Sequence, residues 1–141
     1  MPMNANLQIT NKKEEALVFP ELSYKLTGIL FAAHNELGRY CNEKQYGDLL
    51  EKMFKEEHLQ YEREKIIPES FKGERAGRNK IDFVIDNKVV LELKSVRILS
   101  RESYYQIRRY LDAFEKKLGI LVNFRDKYLK PKRILNSSIS N

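Results

Sequence analysis

Two acids and one lysine stand inside apolar stretches near the middle of the chain. Asp82 lies in the segment 80–85, KIDFVI, whereas Glu92 and Lys94 lie in the segment 88–96, KVVLELKSV. An ionised carboxylate among aliphatic side chains is costly unless it is paired or bound to a metal ion. Glu92 and Lys94 are two residues apart, so a β-strand would present both on one face. If Asp82 faces the same side, two carboxylates converge beside an ammonium group.

Two convergent carboxylates suit a hard divalent cation such as Mg²⁺, which prefers carboxylate oxygens and water. Such a metal lowers the pKa of a bound water and stabilises charge on a phosphate oxygen, and the lysine would orient the nucleophile. The alternative is a structural salt bridge of Lys94 with Glu92 or Asp82. In a chain with 33% charged residues an E-x-K pattern also arises by chance, and these residues alone leave both interpretations open.

Four further residues could belong to the same site. Gln106 and Tyr110 are four apart in a helical segment, so they share a face, and Arg109 lies beside them. Glu43 is predicted in the first turn of another helix. The structural alternatives are a core tyrosine with an exposed glutamine, and a helix-start acid favoured by the helix dipole.

The predicted elements explain how these residues would be positioned. Apolar residues at helical spacing predict helices over 22–37, 43–58 and 102–117, the first of them followed by Gly38 and the last by Gly119. Strands are predicted over 60–67, 80–85, 88–96, 119–124 and 128–135, with a polar loop over 69–79. Pro131 marks the last strand as an edge strand. The order α-α-β-β-β-α-β-β predicts an α/β domain with a mixed β-sheet flanked by helices.

The turn between the second and third strands decides whether the acids can meet. A two-residue hairpin at Asp86-Asn87 would pair Ile85 with Lys88 and turn Asp82 away from Glu92. A three-residue loop or a bulge would place Asp82 opposite Glu92 instead. In that register Asp82, Val90, Glu92 and Lys94 face the site, and the other face packs Phe83, Ile85, Leu91 and Leu93.

Length and composition narrow the class of protein. The 141 residues are predicted to form an arm (1–20), one domain (21–136) and a disordered tail (137–141). Cys41 is the only cysteine, which excludes an intrachain disulfide, a cysteine zinc site and an Fe–S cluster. The N-terminal segment lacks an apolar core, and no apolar run approaches the roughly 20 residues of a membrane span. We therefore expect a cytoplasmic protein that does not insert into membranes.

The net charge of +6 is unevenly distributed. Residues 1–60 hold seven lysines and arginines against nine acids, whereas residues 61–141 hold 19 against 11. A basic half attracts polyanions, above all nucleic acid, although a solvated basic surface explains the charge equally well. If the partner is nucleic acid, we expect a C-terminal basic run to contact its phosphate backbone. The run consists of Arg125, Lys127, Lys130, Lys132 and Arg133.

The spacing of these residues resembles a known superfamily. Asp82, followed after nine residues by Glu92-Leu93-Lys94, resembles the core signature of PD-(D/E)xK nucleases, and Gln106-x-x-x-Tyr110 resembles the QxxxY motif of RecB-type members. The segments 34–38 (HNELG), 43–46 (EKQY), 121–124 (LVNF) and 132–134 (KRI) resemble the small bacterial GxxExxY family of that superfamily. The likeness extends over about residues 22–135. It departs from the family at Tyr40, where the first glycine should fall, and it lacks the cysteine cluster of some QxxxY nucleases.

The resemblance implies a restriction-endonuclease-like fold and a role for each matching residue. Asp82 and Glu92 would bind Mg²⁺ or Mn²⁺, with the Leu93 carbonyl and Glu43 as further ligands, and Lys94 would position the attacking water. Gln106 and Tyr110, with Arg109 beside them, would contact the substrate backbone or support the site. His34 matches a family histidine whose role is open between structural and catalytic.

The expected function is hydrolysis of DNA phosphodiester bonds, on branched or single-stranded forms, by a metal-dependent nuclease. We expect a homodimer, because a small nuclease without a recognition module would use two copies to address two strands. Two alternatives remain: a non-catalytic nucleic-acid-binding module with the nuclease fold, and a protein-interaction subunit whose basic half meets an acidic partner.

Overall fold

The predicted order of elements is confirmed. The computed structural model describes residues 18–67 and 80–137, in which three helices and five strands follow the order α-α-β-β-β-α-β-β. They are α1 (Pro20–Leu37), α2 (Glu43–Glu56), β1 (Tyr61–Ile66), β2 (Lys80–Ile85), β3 (Val89–Lys94), α3 (Arg101–Ala113), β4 (Leu118–Asn123) and β5 (Lys132–Leu135). Most of the predicted arm (1–17), the predicted polar loop (69–79) with the residue before it, and most of the predicted tail (138–141) lie outside the described residues.

The start of α1 and the end of α3 differ from prediction, because a different residue begins or ends each helix. Helix α1 begins at Pro20, two residues early, because proline suits the first helical position. Helix α3 ends at Ala113, four residues before the predicted end. Glu115 has a left-handed φ of 52°, and the Lys116 N–H donates to the Leu111 carbonyl over 2.9 Å. A non-glycine residue thus closes the helix in the way a C′ glycine would.

The sheet is mixed, and its strand order is β1-β2-β3-β4-β5. Strands β1, β2 and β3 form an antiparallel meander, and β5 is antiparallel to β4. Strand β4 is parallel to β3, with Lys94 beside Asn123 at their common carboxyl end. Parallel neighbours need a crossover connection, and α3 provides it.

Two apolar cores cover the two faces of the sheet. The larger core holds Phe83, Ile85, Leu91 and Leu93 under α1 and α2, as the three-residue register predicts. The smaller core holds Val84, Val90 and Leu121 under α3. Helix α3 contributes Ile107, Tyr110 and Leu111 to it. Asp82, Glu92 and Lys94 therefore lie in a sheet that is covered on both sides.

The turn between β2 and β3 has three residues. Ile85 pairs with Val89, and the Lys88 N–H donates to the Ile85 carbonyl over 2.9 Å. Asp86 and Asn87 both adopt left-handed φ values, 51° and 54°, which short polar side chains tolerate better than most. This turn gives β2 and β3 the register that brings Asp82 level with Glu92.

In the part of the chain that is described, no helix combines the length and apolar character needed to cross a membrane.

Candidate active site

The two acids sit where β2 and β3 separate. Their backbone pairing runs from Ile85↔Val89 to Phe83↔Leu91 and stops there. At the next position the Asp82 N–H donates to Glu92 Oε1 over 2.9 Å, and the Leu93 N–H donates to Asp82 Oδ2 over 2.8 Å. Each carboxylate thus takes the place of a main-chain carbonyl on the opposite strand. We call this pair of cross-strand contacts the carboxylate fork.

The fork coincides with a distortion on its other flank. Pairing of β1 with β2 skips the position of Glu64 and Asp82, and Glu64 has a left-handed φ of 56°. Ile81 packs in the smaller core and Phe83 in the larger one, although residues two apart in a regular strand share a face. Strand β2 therefore turns at Asp82, as strands do at bulges beside functional sites.

Burial makes it difficult for both acids to be ionised together. Glu92 is only 4% exposed. Burial, and then the nearby Asp82 carboxylate, raise the pKa of Glu92 well above its ordinary value. Burial also raises the pKa of Asp82, and the charge of Glu43 adds to that rise, while the Leu93 N–H and the Lys94 charge oppose it. Within residues 18–67 and 80–137, neither carboxylate of the fork belongs to an ion pair.

Lys94 lies beside the acids without pairing with them. Its Nζ donates to Gln106 Oε1 over 3.3 Å. Among the ion pairs of the described residues none joins Lys94 to Asp82 or Glu92. The structural salt bridge considered from the sequence is therefore not formed, and the ammonium group is held at the site by an amide.

The inner face of α3 carries the two residues predicted to share it. Tyr110 is buried in the smaller core, and Gln106 is half-buried one turn earlier. Burial, followed by the nearby Glu92 charge, raises the pKa of Tyr110 to about 12. Its hydroxyl therefore stays protonated at neutral pH and can act as a hydrogen-bond donor. Arg109 is exposed, outside this inner face.

The first turn of α2 forms the rim of the site. Asn42 caps the helix by accepting the Gln45 N–H over 2.8 Å, and Glu43 follows as its first residue. Glu43 and Asp82 line a pocket of about 180 Å³ between α2 and the sheet; the other lining residues are Lys44, Gly47, Arg63, Glu64, Phe83 and Leu93. The sequence did not predict Arg63 and Glu64 in this pocket. The alternating pattern of β1 does not show which other element its charged side chains contact.

A family model for the PD-(D/E)XK nuclease superfamily matches residues 20–134. The chain belongs to this superfamily. The matched segment includes every described helix and strand except the last residue of β5, and the α/β sheet has the restriction-endonuclease-like order. Neither the comparison with curated proteins nor that with solved structures found a match. Membership indicates a nuclease-type function, a nucleic-acid substrate and, as is general among these nucleases, use of a divalent metal ion.

The donor chemistry of the fork in this PD-(D/E)XK chain fits such an ion. Asp82 and Glu92 supply hard carboxylate oxygens, and their raised pKa values mean that a cation would relieve their mutual repulsion. Within residues 18–67 and 80–137, no three His, Cys, Asp or Glu side chains are grouped to hold a metal. Glu43 acts on Asp82 through its charge, and Leu93 contacts Asp82 through its N–H; both stay predictions as metal ligands.

His34 lies apart from the fork. Its Nε2 is 2.9 Å from the Asp126 carbonyl, and its ring centroid is 6.2 Å from that of Phe124. It joins α1 to the loop after β4. These contacts favour a structural role for His34 over a catalytic one.

One supporting residue was not singled out from the sequence. Asn123 is buried beside Lys94, and its side chain both accepts from the Val96 N–H (3.0 Å) and donates to the Val96 carbonyl (2.8 Å). It fixes the segment that follows Lys94. The available signal was a polar residue near the end of the apolar run GILVNF.

The C-terminal basic run is divided between two environments. Lys127 and Lys130 are exposed on the loop after β4. On β5, by contrast, Lys132 Nζ lies 5.4 Å from the Tyr104 ring centroid and the Arg133 guanidinium donates to the Val18 carbonyl over 2.7 Å. All four of these side chains are exposed, and contact of the run with nucleic acid stays a prediction.

Proposed function

We propose that this protein is a nuclease that hydrolyses DNA phosphodiester bonds with Mg²⁺ or Mn²⁺. Asp82 and Glu92 would hold the metal ion, and Lys94 would position the attacking water. The observation that supports this most strongly is the carboxylate fork. Its two acids, the buried Glu92 and the half-buried Asp82, accept main-chain N–H groups and form no ion pair among the described residues.

A purely structural origin of the fork is unfavourable. Burial and the nearby Asp82 carboxylate raise the pKa of Glu92, so ionisation of this acid at neutral pH reduces stability, and an amide could accept the same N–H donor without that penalty. Functional sites are where such perturbed groups concentrate. The arrangement is therefore better explained by a bound cation than by folding.

The chain's own residues would divide the work as follows. When bound, the metal would supply a more acidic water and a positive charge beside the reacting phosphate. Gln106 keeps the Lys94 ammonium at the edge of the fork, from which it can hydrogen-bond a water or a phosphate oxygen. Tyr110, protonated at neutral pH, supports that arrangement from the smaller core. Gln106 and the exposed Arg109 would contact the substrate backbone.

The motifs quoted from the sequence support assignment to the GxxExxY family within the superfamily. Glu43 begins α2, and Tyr46 follows three residues later in the larger core, so the E-x-x-Y spacing matches this helix start. The excess of basic residues after position 60 suits DNA as the substrate. We further propose a cytoplasmic location and a homodimer.

The test is cleavage of plasmid and junction DNA with Mg²⁺, with Mn²⁺ and with EDTA. We expect cleavage only with metal and loss of cleavage in Glu92→Ala. Metal-dependent cleavage that survives in Glu92→Ala would show that the site is misassigned. Salt-sensitive DNA binding without cleavage would favour the non-catalytic binding module. Absence of DNA binding at low salt would favour the protein-interaction subunit.

A further inference from the structure

One exposed aromatic residue beside the candidate site has no role in the core. Tyr40 lies in the connector between α1 and α2 and is 75% exposed. The guanidinium carbon of Arg39 lies 5.1 Å from the centre of its ring, and that of Arg125 lies 5.5 Å from it. We call these three residues the Tyr40 platform. A large apolar ring held open to solvent between two cations is a surface suited to a ligand.

The backbone beneath the platform is held firmly in place. Arg39 Nε donates to the Arg125 carbonyl over 2.8 Å, and Arg125 Nε donates to the Arg39 carbonyl over 3.0 Å. The Tyr46 hydroxyl donates to the Gly38 carbonyl, and the Tyr46 ring stacks on Phe124 with centroids 4.1 Å apart. Tyr40 itself makes none of these contacts, so its side chain is available on a preformed support.

The platform lies at the same end of the sheet as the fork. Ser95, just after Lys94, donates through its hydroxyl to the Cys41 carbonyl over 2.8 Å. The Phe124 N–H donates to the Lys94 carbonyl over 2.8 Å, which brings the loop carrying Arg125 beside the end of β3. Tyr40 also precedes Glu43 by three residues, so their Cα atoms are at most about 11 Å apart. One strand of nucleic acid could therefore contact both places.

The chemistry of the platform indicates which form of nucleic acid it fits. The ring of Tyr40 offers a stacking surface for a base, and guanidinium groups bind phosphate or stack on bases themselves. In a duplex the faces of the bases are already stacked on one another, so only an unpaired base could use the ring. A second aromatic–cation pair follows on the same loop, where Lys127 Nζ lies 5.5 Å from the centre of the exposed Tyr128 ring.

We propose that Tyr40 stacks on an unpaired base of a DNA strand whose phosphates are bound by Arg39 and Arg125. This inference rests on the proposed nuclease function and narrows its substrate to DNA with a single-stranded segment at the cleavage site. It also gives a role to the residue at which this chain departs from the glycine of the GxxExxY pattern.

The test separates binding from cleavage. Anisotropy of fluorescein-labelled oligo(dT), measured in EDTA, compares wild type with Tyr40→Ala, Tyr40→Phe and Tyr24→Ala. Tyr24 is the matched control, because it is as exposed as Tyr40 but lies on α1 beside Glu56 and Glu57, at the far end of α2 from Glu43. An abasic oligonucleotide of equal length keeps the phosphates and lacks the bases. Cleavage of single-stranded and duplex DNA with Mn²⁺ is measured separately.

Loss of one base-stacking contact should weaken oligo(dT) binding between about 5-fold and about 150-fold in Tyr40→Ala. Tyr40→Phe and Tyr24→Ala should bind like wild type, and all four proteins should bind the abasic strand alike. The inference is wrong if Tyr40→Ala binds oligo(dT) normally, or if it loses affinity equally for the abasic strand. Tyr40-dependent binding without cleavage would instead overturn the nuclease function and leave the platform intact.

Discussion

Two groups of acids in this molecule lie in opposite electrostatic environments. Between α2 and β1, Arg63 Nη1 is 2.7 Å from Asp48 Oδ1 and 2.8 Å from Glu51 Oε2. Hydrogen bonds from Lys44 and Arg63 lower the pKa of Asp48, and a hydrogen bond from Arg63 lowers the pKa of Glu51. At the carboxylate fork, burial and proximity raise the pKa of Asp82 and Glu92. We call Arg63, Asp48 and Glu51 the Arg63 cluster.

The difference shows which acids the fold uses for its own stability. In the Arg63 cluster, Asp48 also pairs with Lys44 and Glu51 with Lys55, and the charged groups stay partly in water, the usual arrangement of structural ion pairs. At the fork Glu92 is buried, and the ammonium of Lys94 is bonded to an amide. Among the described residues the fork acids form no ion pair, and acids without such a pair are suited to bind a ligand. We therefore expect matched substitutions to have different effects in the two groups.

The largest expected effect is on catalysis. Glu92→Gln and Asp82→Asn keep oxygens that can accept the N–H groups of Asp82 and Leu93 but remove negative charge from the fork. Each should lower the rate of DNA cleavage by at least about 10²-fold, as should Lys94→Ala, while the fold stays intact. Initial rates with Mn²⁺, together with circular dichroism, measure both.

Glu51→Gln is the control, because it makes the same substitution in the Arg63 cluster. It should cut DNA like wild type and lower the free energy of unfolding by about 0.5–1 kcal/mol. If Glu51→Gln and Glu92→Gln have equal effects on cleavage, or if Glu92→Gln unfolds, then the two groups of acids do not differ as proposed.

The next effect is stabilisation by metal. A cation that binds only the folded fork stabilises the protein by about 2.7 kcal/mol at a concentration 100 times its dissociation constant. We therefore expect Mn²⁺ to raise the melting temperature of wild type and of Glu51→Gln by several degrees. Differential scanning fluorimetry should show little or no rise in Glu92→Gln, and an equal rise in all three proteins would place the metal elsewhere.

The dependence of stability on pH should have opposite sign in the two groups. A carboxyl whose pKa is raised on folding stabilises the protein below its unfolded pKa and loses that contribution as pH rises through the folded value. Without metal, the fork should therefore reduce stability as pH rises above about 4.5, the ordinary value for Glu92. Acids with a lowered pKa act in the opposite direction, so the Arg63 cluster should lose stability only as pH falls below about 4.5.

Urea unfolding in EDTA between about pH 5 and about pH 8, a range that lies above the ordinary pKa of Glu92, measures the contribution of the fork. The decline of stability across this range should be smaller in Glu92→Gln than in wild type and unchanged in Glu51→Gln. Comparison with wild type cancels the contributions of all groups that the three proteins share. Parallel curves for wild type and Glu92→Gln would mean that Glu92 is not perturbed.

The sequence predicted much of the fork and none of the Arg63 cluster. Local signals were sufficient for the first: apolar runs around Asp82 and Glu92, and a turn at Asp86-Asn87 whose length sets the register. The cross-strand N–H contacts were not predictable, because they require the strands to separate at a point that no residue type marks. Arg63 has many acids to choose from in a chain with 33% charged residues, and its partners lie 12 and 15 positions away.

The smallest expected effect is a change in stability at Gly47, the residue that leaves space for the Arg63 side chain. Gly47 lies inside α2, and a Cβ placed there would come within 2.5 Å of the nearest guanidinium nitrogen of Arg63. Alanine at this position favours the helix by about 1 kcal/mol, but the Arg63 side chain must then shift away from Asp48 and Glu51. These two changes offset each other, so the free energy of unfolding of Gly47→Ala should stay within about 1 kcal/mol of wild type.

A double-mutant cycle separates the two contributions to that small change. Once Arg63→Ala has removed the obstacle, Gly47→Ala should stabilise the protein by about 1 kcal/mol in chemical denaturation. The coupling between the two positions would show that glycine at 47 is retained to admit the cation that neutralises Asp48 and Glu51. Equal stabilisation by Gly47→Ala with and without Arg63 would mean that the guanidinium does not depend on this glycine. The position of Arg63 would then not depend on the missing side chain at Gly47. The Arg63 cluster would differ from the fork in charge alone.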